Sequence, residues 1–283
     1  MPYRFADLNA RASKLISDLE AAGVPVPPSS RLRRYANALN EAVAADGVRR
    51  PESAELALWH RLLIEVEDLD VTTRVLSQHP EVPSWSIHLK RSLAGAALRS
   101  DENLPSPARD VQFELILAAL FRRAGFSVSL DEPDVIVLDE SRRFGVAAKR
   151  PRSHAKLEKN IRDARRQVQQ SGLPGMIAVD VSCILNPEDT AIETANFTAA
   201  NAAVVDAVSS YLRENSYRIS RWIASDRVFG VVLHYAKAIH ETVTPMLAYR
   251  RQWSAMNLAP QDHPATRYLL NILGRIEQVE TAA

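Results

Sequence analysis

Three side chains in the middle of the chain combine types and spacings that could do chemistry: Glu114, Asp134 and Lys149. Glu114 falls inside an apolar helical pattern with Val111, Leu115, Leu117, Ala118 and Phe121. The polar residues Arg109, Gln112 and Arg123 form a stripe almost opposite it at about 100° per residue. A carboxylate on an inward face is costly unless it is paired, hydrogen-bonded or bound to a metal. Glu114 is thus either at the margin of the buried face, paired with a core arginine, or turned toward an active site. Asp134 follows Pro133 and opens the β-branched run 135–138, and Lys149 ends a second strand-like run, 144–149. Hydrolysis of a phosphodiester needs a nucleophilic water and stabilisation of added negative charge. A divalent cation held by carboxylates supplies both, and a nearby lysine orients the water or adds positive charge.

The elements that must position these groups follow from local pattern. Side chains alternate faces along a strand, so Asp134 shares a face with Ile136 and Leu138. In the second run Gly145, Ala147 and Lys149 share one face and Phe144, Val146 and Ala148 the other. The polar turn 139–143 joins the two runs as a hairpin. The small residues leading to Lys149 suit close approach of a ligand or metal, and equally packing under a helix. A basic helix, 153–170, follows, with Ser153 as its cap. Between residues 142 and 166 ten Lys/Arg stand against two acids, a local excess of +8. That excess reads either as a phosphate-binding footprint or as a solvated helix face. Arg150, Arg152 and Lys156, beside a helix N-terminus, are the candidate nucleic-acid contacts.

The order Glu, Pro-Asp, then x-x-Lys at the end of the next strand resembles the PD-(D/E)xK nuclease superfamily over about residues 108–182. The resemblance implies a restriction-endonuclease-like α/β fold and a Mg²⁺- or Mn²⁺-dependent DNA endonuclease, in a setting such as bacterial defence or mobile-element biology. Asp134 would ligate the metal, Glu114 would support it and Lys149 would position water. The acid expected two residues before the lysine is Ala147, whose methyl group binds no cation. Three accounts fit. The acid has moved to the following helix, where Glu158 and Gln167 border the groove; a glutamine there recurs in the RecB-like nucleases. Alternatively the domain is a catalytically inactive nucleic-acid-binding or assembly protein of the same fold. In the third, Ala147 is an engineered replacement of the acid. A separation of Asp134 and Lys149 beyond about 8 Å would instead mark the motif as coincidence, because a shared water must reach both.

Residues 1–100 read as an all-helical module. Its first helix carries Phe5, Leu8, Ala12, Leu15, Ile16 and Leu19 and stops at Gly23. A second starts after Ser29 or Ser30, a third is opened by Pro51-Glu52, and a fourth spans about 84–98. The module serves packing or partner binding, including a homodimer or protein complex, with Arg31, Arg33, Arg34, Arg49 and Arg50 as available phosphate contacts. The polar stretch 100–107 is the expected boundary to an α/β domain over 101–283. There, strand 176–181, helix 196–213, a last strand at 227–234 and two helices at 245–256 and 265–279 predict a mixed central sheet flanked by helices. His234 and His240 read as structural. No apolar run approaches the ~20 residues of a membrane span, and the charged N-terminus lacks a signal-peptide core. Cys183 is the only cysteine, which excludes an internal disulfide and a cysteine-rich zinc site. A reducing compartment, the cytoplasm, is the expectation.

Overall fold

The computed structural model describes residues 3–44, 53–79, 85–95, 107–140, 142–225, 227–243, 246–258 and 264–281. Four helices come first: α1 (Phe5–Ala21), α2 (Arg31–Ala44), α3 (Ser53–Ser77) and α4 (Trp85–Ser92). Then follow α5 (Pro107–Arg123), β1 (Ser127–Ser129), β2 (Val135–Asp139), β3 (Arg142–Lys149), α6 (His154–Ser171) and β4 (Gly175–Asp180). The chain continues through α7 (Ser182–Leu185), β5 (Ile192–Thr194), α8 (Phe197–Ile223), β6 (Val228–Glu241), β7 (Met246–Asn257) and α9 (Pro264–Thr281).

The seven strands make one mixed sheet in an α/β architecture. β1, β2 and β3 are an antiparallel meander; β3, β4 and β6 run parallel. The long β6 pairs with β4 through its first half and with β5 near its end, while β7 lies antiparallel along its other edge. Strand alternation then sorts the core. Ala147, Ile177, Val179, Val231 and Leu233 pack under α6 and α8. Val135, Val137, Phe144, Val146, Ala148, Met176 and Ala178 face the opposite way, toward α5. Gly145 is required where it stands: a Cβ there would lie 2.6 Å from Pro133 Cγ, so its absence lets the chain before Asp134 close onto β3.

Two expectations are corrected. The run 245–256, read as a helix, is the strand β7 over its described residues, paired residue for residue from Gly230↔Asn257 to Glu241↔Met246. Its residue types suit a helix, but the hairpin with β6 satisfies every second backbone group and overrides propensity. Consequently 227–234 is not the last strand, and β6 extends to Glu241. The polar residues Arg109 and Gln112 of the α5 stripe are buried. They meet the N-terminal helices through a polar network: Arg31 donates to Glu65 Oε1 and Gln112 Oε1, each at 2.8 Å, and Asp68 accepts from Arg251 and Tyr249, each at 2.7 Å.

The helices α1–α4 share one apolar core with α5 and the sheet, running from Leu8, Leu19, Leu39 and Leu62 to Leu117, Phe121 and Val146. Of the expected boundary, only Pro107 lies within the described residues; Arg49, Arg50 and Pro51-Glu52 lie outside them. Ser30 Oγ accepts from Arg33 N at 3.3 Å at the start of α2. Ser153 occupies the N-cap of α6, but its side chain makes no capping bond. No helix among the described residues is long and apolar enough to cross a membrane.

Candidate functional site

The head of β2 and the tail of β3 are neighbours because the two strands are antiparallel, with Val135 opposite Val146. Asp134 therefore sits across from Ala147, and Lys149 lies two residues further along the same face. Asp134 Oδ2 accepts from Ala148 N at 2.7 Å and from Lys149 Nζ at 3.3 Å, well inside the separation a shared water allows. From α6, Gln167 Nε2 donates to Pro133 O at 3.3 Å, to Glu132 Oε1 at 3.3 Å and to Asp134 Oδ1 at 3.5 Å. From α5, the half-buried Glu114 is close enough to feel the charges of Asp134 and Lys149. Two helices and a hairpin thus bring Glu114, Asp134, Lys149 and Gln167 to one end of the sheet.

Burial governs the electrostatics. It pushes the Glu114 carboxyl up to about 7; the negative charges of Asp134 and Asp110 add to the rise, and Lys149 and Arg91 oppose it. Burial also raises Asp134, against the stabilising Lys149 ammonium and Ala148 N–H. A carboxyl raised on folding contributes stability at low pH and loses it as pH climbs from its unfolded value through its folded one. Folding stability should therefore fall between about pH 4.5 and pH 7 by up to about 3 kcal/mol from this group. In chelator-treated buffer, Glu114→Gln should melt with the parent near the lower limit and above it at alkaline pH. Parallel melting curves across the range would refute the assignment.

The other sequence candidates lie elsewhere. Glu158 is exposed and paired with Arg162 at 2.8 Å, so it is not among the groups at Asp134. Arg150, expected as a nucleic-acid contact, turns inward to Asp180 at 2.5 Å. Lys156 is exposed and Arg152 half-exposed. Much of the local positive charge is used internally. Arg166 pairs with Asp163, Arg165 caps the carbonyls of Trp222 and Ile223, and Arg142 lies over the Tyr268 ring. Arg142, Arg143, Lys156, Lys159, Arg162 and Arg166 are exposed, but Arg162 and Arg166 are paired with Glu158 and Asp163, so the net positive patch is smaller than the count of basic residues implies.

Ala147 is fully buried in the cluster of Leu157, Ile161, Ala164 and Val168 and offers no ligand. Among the described residues no three His, Cys, Asp or Glu side chains converge as metal ligands. The oxygen donors on this side of the sheet are the Asp134 carboxylate, the Glu114 carboxylate that feels its charge, and the amide oxygen of Gln167. Three acceptors share the two N–H groups of Gln167, and its Oε1 is buried without a hydrogen-bond partner. Hard oxygen donors suit Mg²⁺ or Mn²⁺, and Mg²⁺ is commonly held by one or two carboxylates with waters and substrate phosphate completing its shell. Asp134 and Glu114 are thus donors of the chemical type such an ion takes.

Two features escaped sequence reading. One is the network of Asp180, Ser182 and His234 behind Arg150; an aspartate inside the apolar run 176–181 was its only local signal. The other is a cleft of about 1450 Å³, which lies by β7 between α1 and α3 and away from Asp134. Several of its charges are mutually paired, as in Arg11 with Glu67 at 2.9 Å and Arg74 with Asp70. No known protein family, curated protein or solved structure matches this chain.

Proposed function

We propose that this chain is a restriction-endonuclease-like, metal-dependent nuclease that hydrolyses DNA phosphodiester bonds at Asp134. One observation carries the reading: Glu114, Asp134, Lys149 and Gln167, dispersed over α5, the β2–β3 hairpin and α6, meet at one sheet end. Asp134 and Glu114 would hold Mg²⁺ or Mn²⁺, which supplies Lewis acidity and an acidified water when bound. Lys149, tethered to Asp134, presents its ammonium where an incoming water or a phosphate oxygen would lie. Gln167 orients the Asp134 carboxylate through its Nε2. Glu114, with its raised carboxyl, can hold a proton near neutral pH when the ion is absent.

The test is cleavage of plasmid and oligonucleotide DNA with Mg²⁺ or Mn²⁺. Cleavage that depends on Asp134 and Lys149 supports the reading. Absence of cleavage, with DNA binding indifferent to Mg²⁺, favours a catalytically silent binding or assembly protein. The sealed Ala147 speaks for that second reading, because the missing acid has no space left for it. Restoring the acid as Ala147→Glu should destabilise the fold by about 3 kcal/mol, through overpacking and burial of a carboxylate under α6. Denaturant unfolding would read this, and an unchanged midpoint would mean the new carboxyl escapes to the Asp134 site.

A further inference from the structure

We propose that Arg150 and Asp180 form a positioning pair for Lys149, their buried contact pinning the end of β3 so that Lys149 faces Asp134. The functional meaning rests on the nuclease reading; the geometry does not. Lys149 and Arg150 are consecutive on an extended chain, so their side chains leave on opposite faces. Pro151 continues that geometry, because a residue before proline is driven away from helical backbone. Fixing Arg150 on one face therefore fixes Lys149 on the other. A slip of one residue would exchange them and withdraw the ammonium from Asp134.

The anchor for Arg150 is rigid on every side. Its Nε donates to Asp180 Oδ2 at 2.5 Å, with the two side chains only 9% and 7% exposed. Asp180 Oδ1 accepts from Ser182 N at 2.9 Å and Ser182 Oγ at 2.5 Å and lies 3.2 Å from His234 Nδ1. Ser182 Oγ accepts from Ala236 N of β6 at 3.0 Å, and Val181 N donates to His234 O at 2.9 Å. The His234 ring is held between Phe113 and Trp253, at 5.2 and 4.5 Å. Arg150, Asp180, Ser182 and His234 close around a cavity of about 30 Å³, room for little more than a water. A guanidinium so enclosed is held on Asp180, whereas a solvent-facing arginine next to Lys149 would leave the strand end free. Stability alone does not call for this pair, since well-packed apolar residues commonly serve a buried ion pair's place as well or better.

The test uses the full chain and reads Lys149 directly. Removing one partner would strand a buried charge, so the informative variant removes both charges: Arg150→Met with Asp180→Asn. Parent and variant are exposed to an amine-acylating reagent, and each lysine is followed by mass spectrometry. Lys149 is 18% exposed and paired, Lys237 is buried and Lys156 exposed. The expected result is an acylation rate about fivefold higher at Lys149, from local opening of the strand end, with Lys237 and Lys156 unchanged. Equal rates at Lys149 would overturn the proposal. So would a parallel rise at Lys237, which would mean that the pair holds the whole fold. Where the parent cleaves DNA, kcat should fall with KM unmoved, and Arg150→Lys should recover part of it. A parent that never cleaves leaves the acylation result standing, so the two readings fail separately.

Discussion

Asp134→Ala and Lys149→Ala should each lower metal-dependent DNA cleavage by about 10²- to 10⁴-fold, the span expected when a group acting on the reacting water is lost. Asp134 is bonded at once to the Ala148 amide, the Lys149 ammonium and the Gln167 amide. Deleting its carboxylate releases Lys149 and, on the proposed reading, takes away the oxygen that would hold the metal ion. Deleting Lys149 leaves a half-buried Asp134 without its cation and removes the group that would orient water. DNA affinity of the Asp134→Ala chain should change little, because phosphate contacts come from cations and Asp134 is not one. Glu158→Ala should cleave like the parent, since Glu158 faces solvent against Arg162. Gel-based cleavage and a binding titration at fixed salt separate these outcomes. Equal cleavage by the Asp134→Ala chain and the parent would sink the nuclease assignment.

The second large effect is on folding. Glu65→Leu should cost about 3–5 kcal/mol, because it leaves the guanidinium of Arg31 buried without its counter-ion. Arg31 and Glu65 are both fully buried and 2.8 Å apart. Arg31 also donates to Ser92 O at 2.7 Å and to Gln112 Oε1, so one side chain ties α2 to α3, to the end of α4 and to α5. The melting temperature should fall by about 10 °C for a chain of this size, in a single transition. A separate module over 1–100 would instead give two transitions, only the first of which moves. The double variant Arg31→Met with Glu65→Leu should recover much of the loss, since no charge is then stranded. Calorimetry of the three chains distinguishes the cases.

Elements whose pattern is complete within one turn or two strands were legible. The stripe Leu8, Ala12, Leu15, Ile16 and Leu19 is the buried face of α1, and Leu157, Ile161, Ala164 and Val168 that of α6. The hairpin followed from two β-branched runs and a polar turn. Its antiparallel register alone brings Asp134 beside the end of β3. Glu114 stood out because it broke an apolar face, and it lies there half-buried. Glu158 was ambiguous at the flank of its stripe, and only the packing of α6 decided that it faces solvent.

What tertiary structure alone decided is the fate of polar side chains and of 246–257. Burying Arg31, Arg109, Gln112 or Arg150 is prohibitive without a partner and acceptable with one. The partners are far off in the chain: Gln112 for Arg31, Asp180 for Arg150, Asp68 for Arg251. A local window contains the cost and not the compensation, so it places all of them in solvent. For the same reason ten basic residues read as a patch, until Asp180, Asp163, Tyr268 and the end of α8 take up several of them. In 246–257, helix-favouring residues become a strand because β6 offers a full-length edge. Periodicity reports what a segment can bury by itself, and only the assembled sheet determines which hydrogen-bond partners it finds.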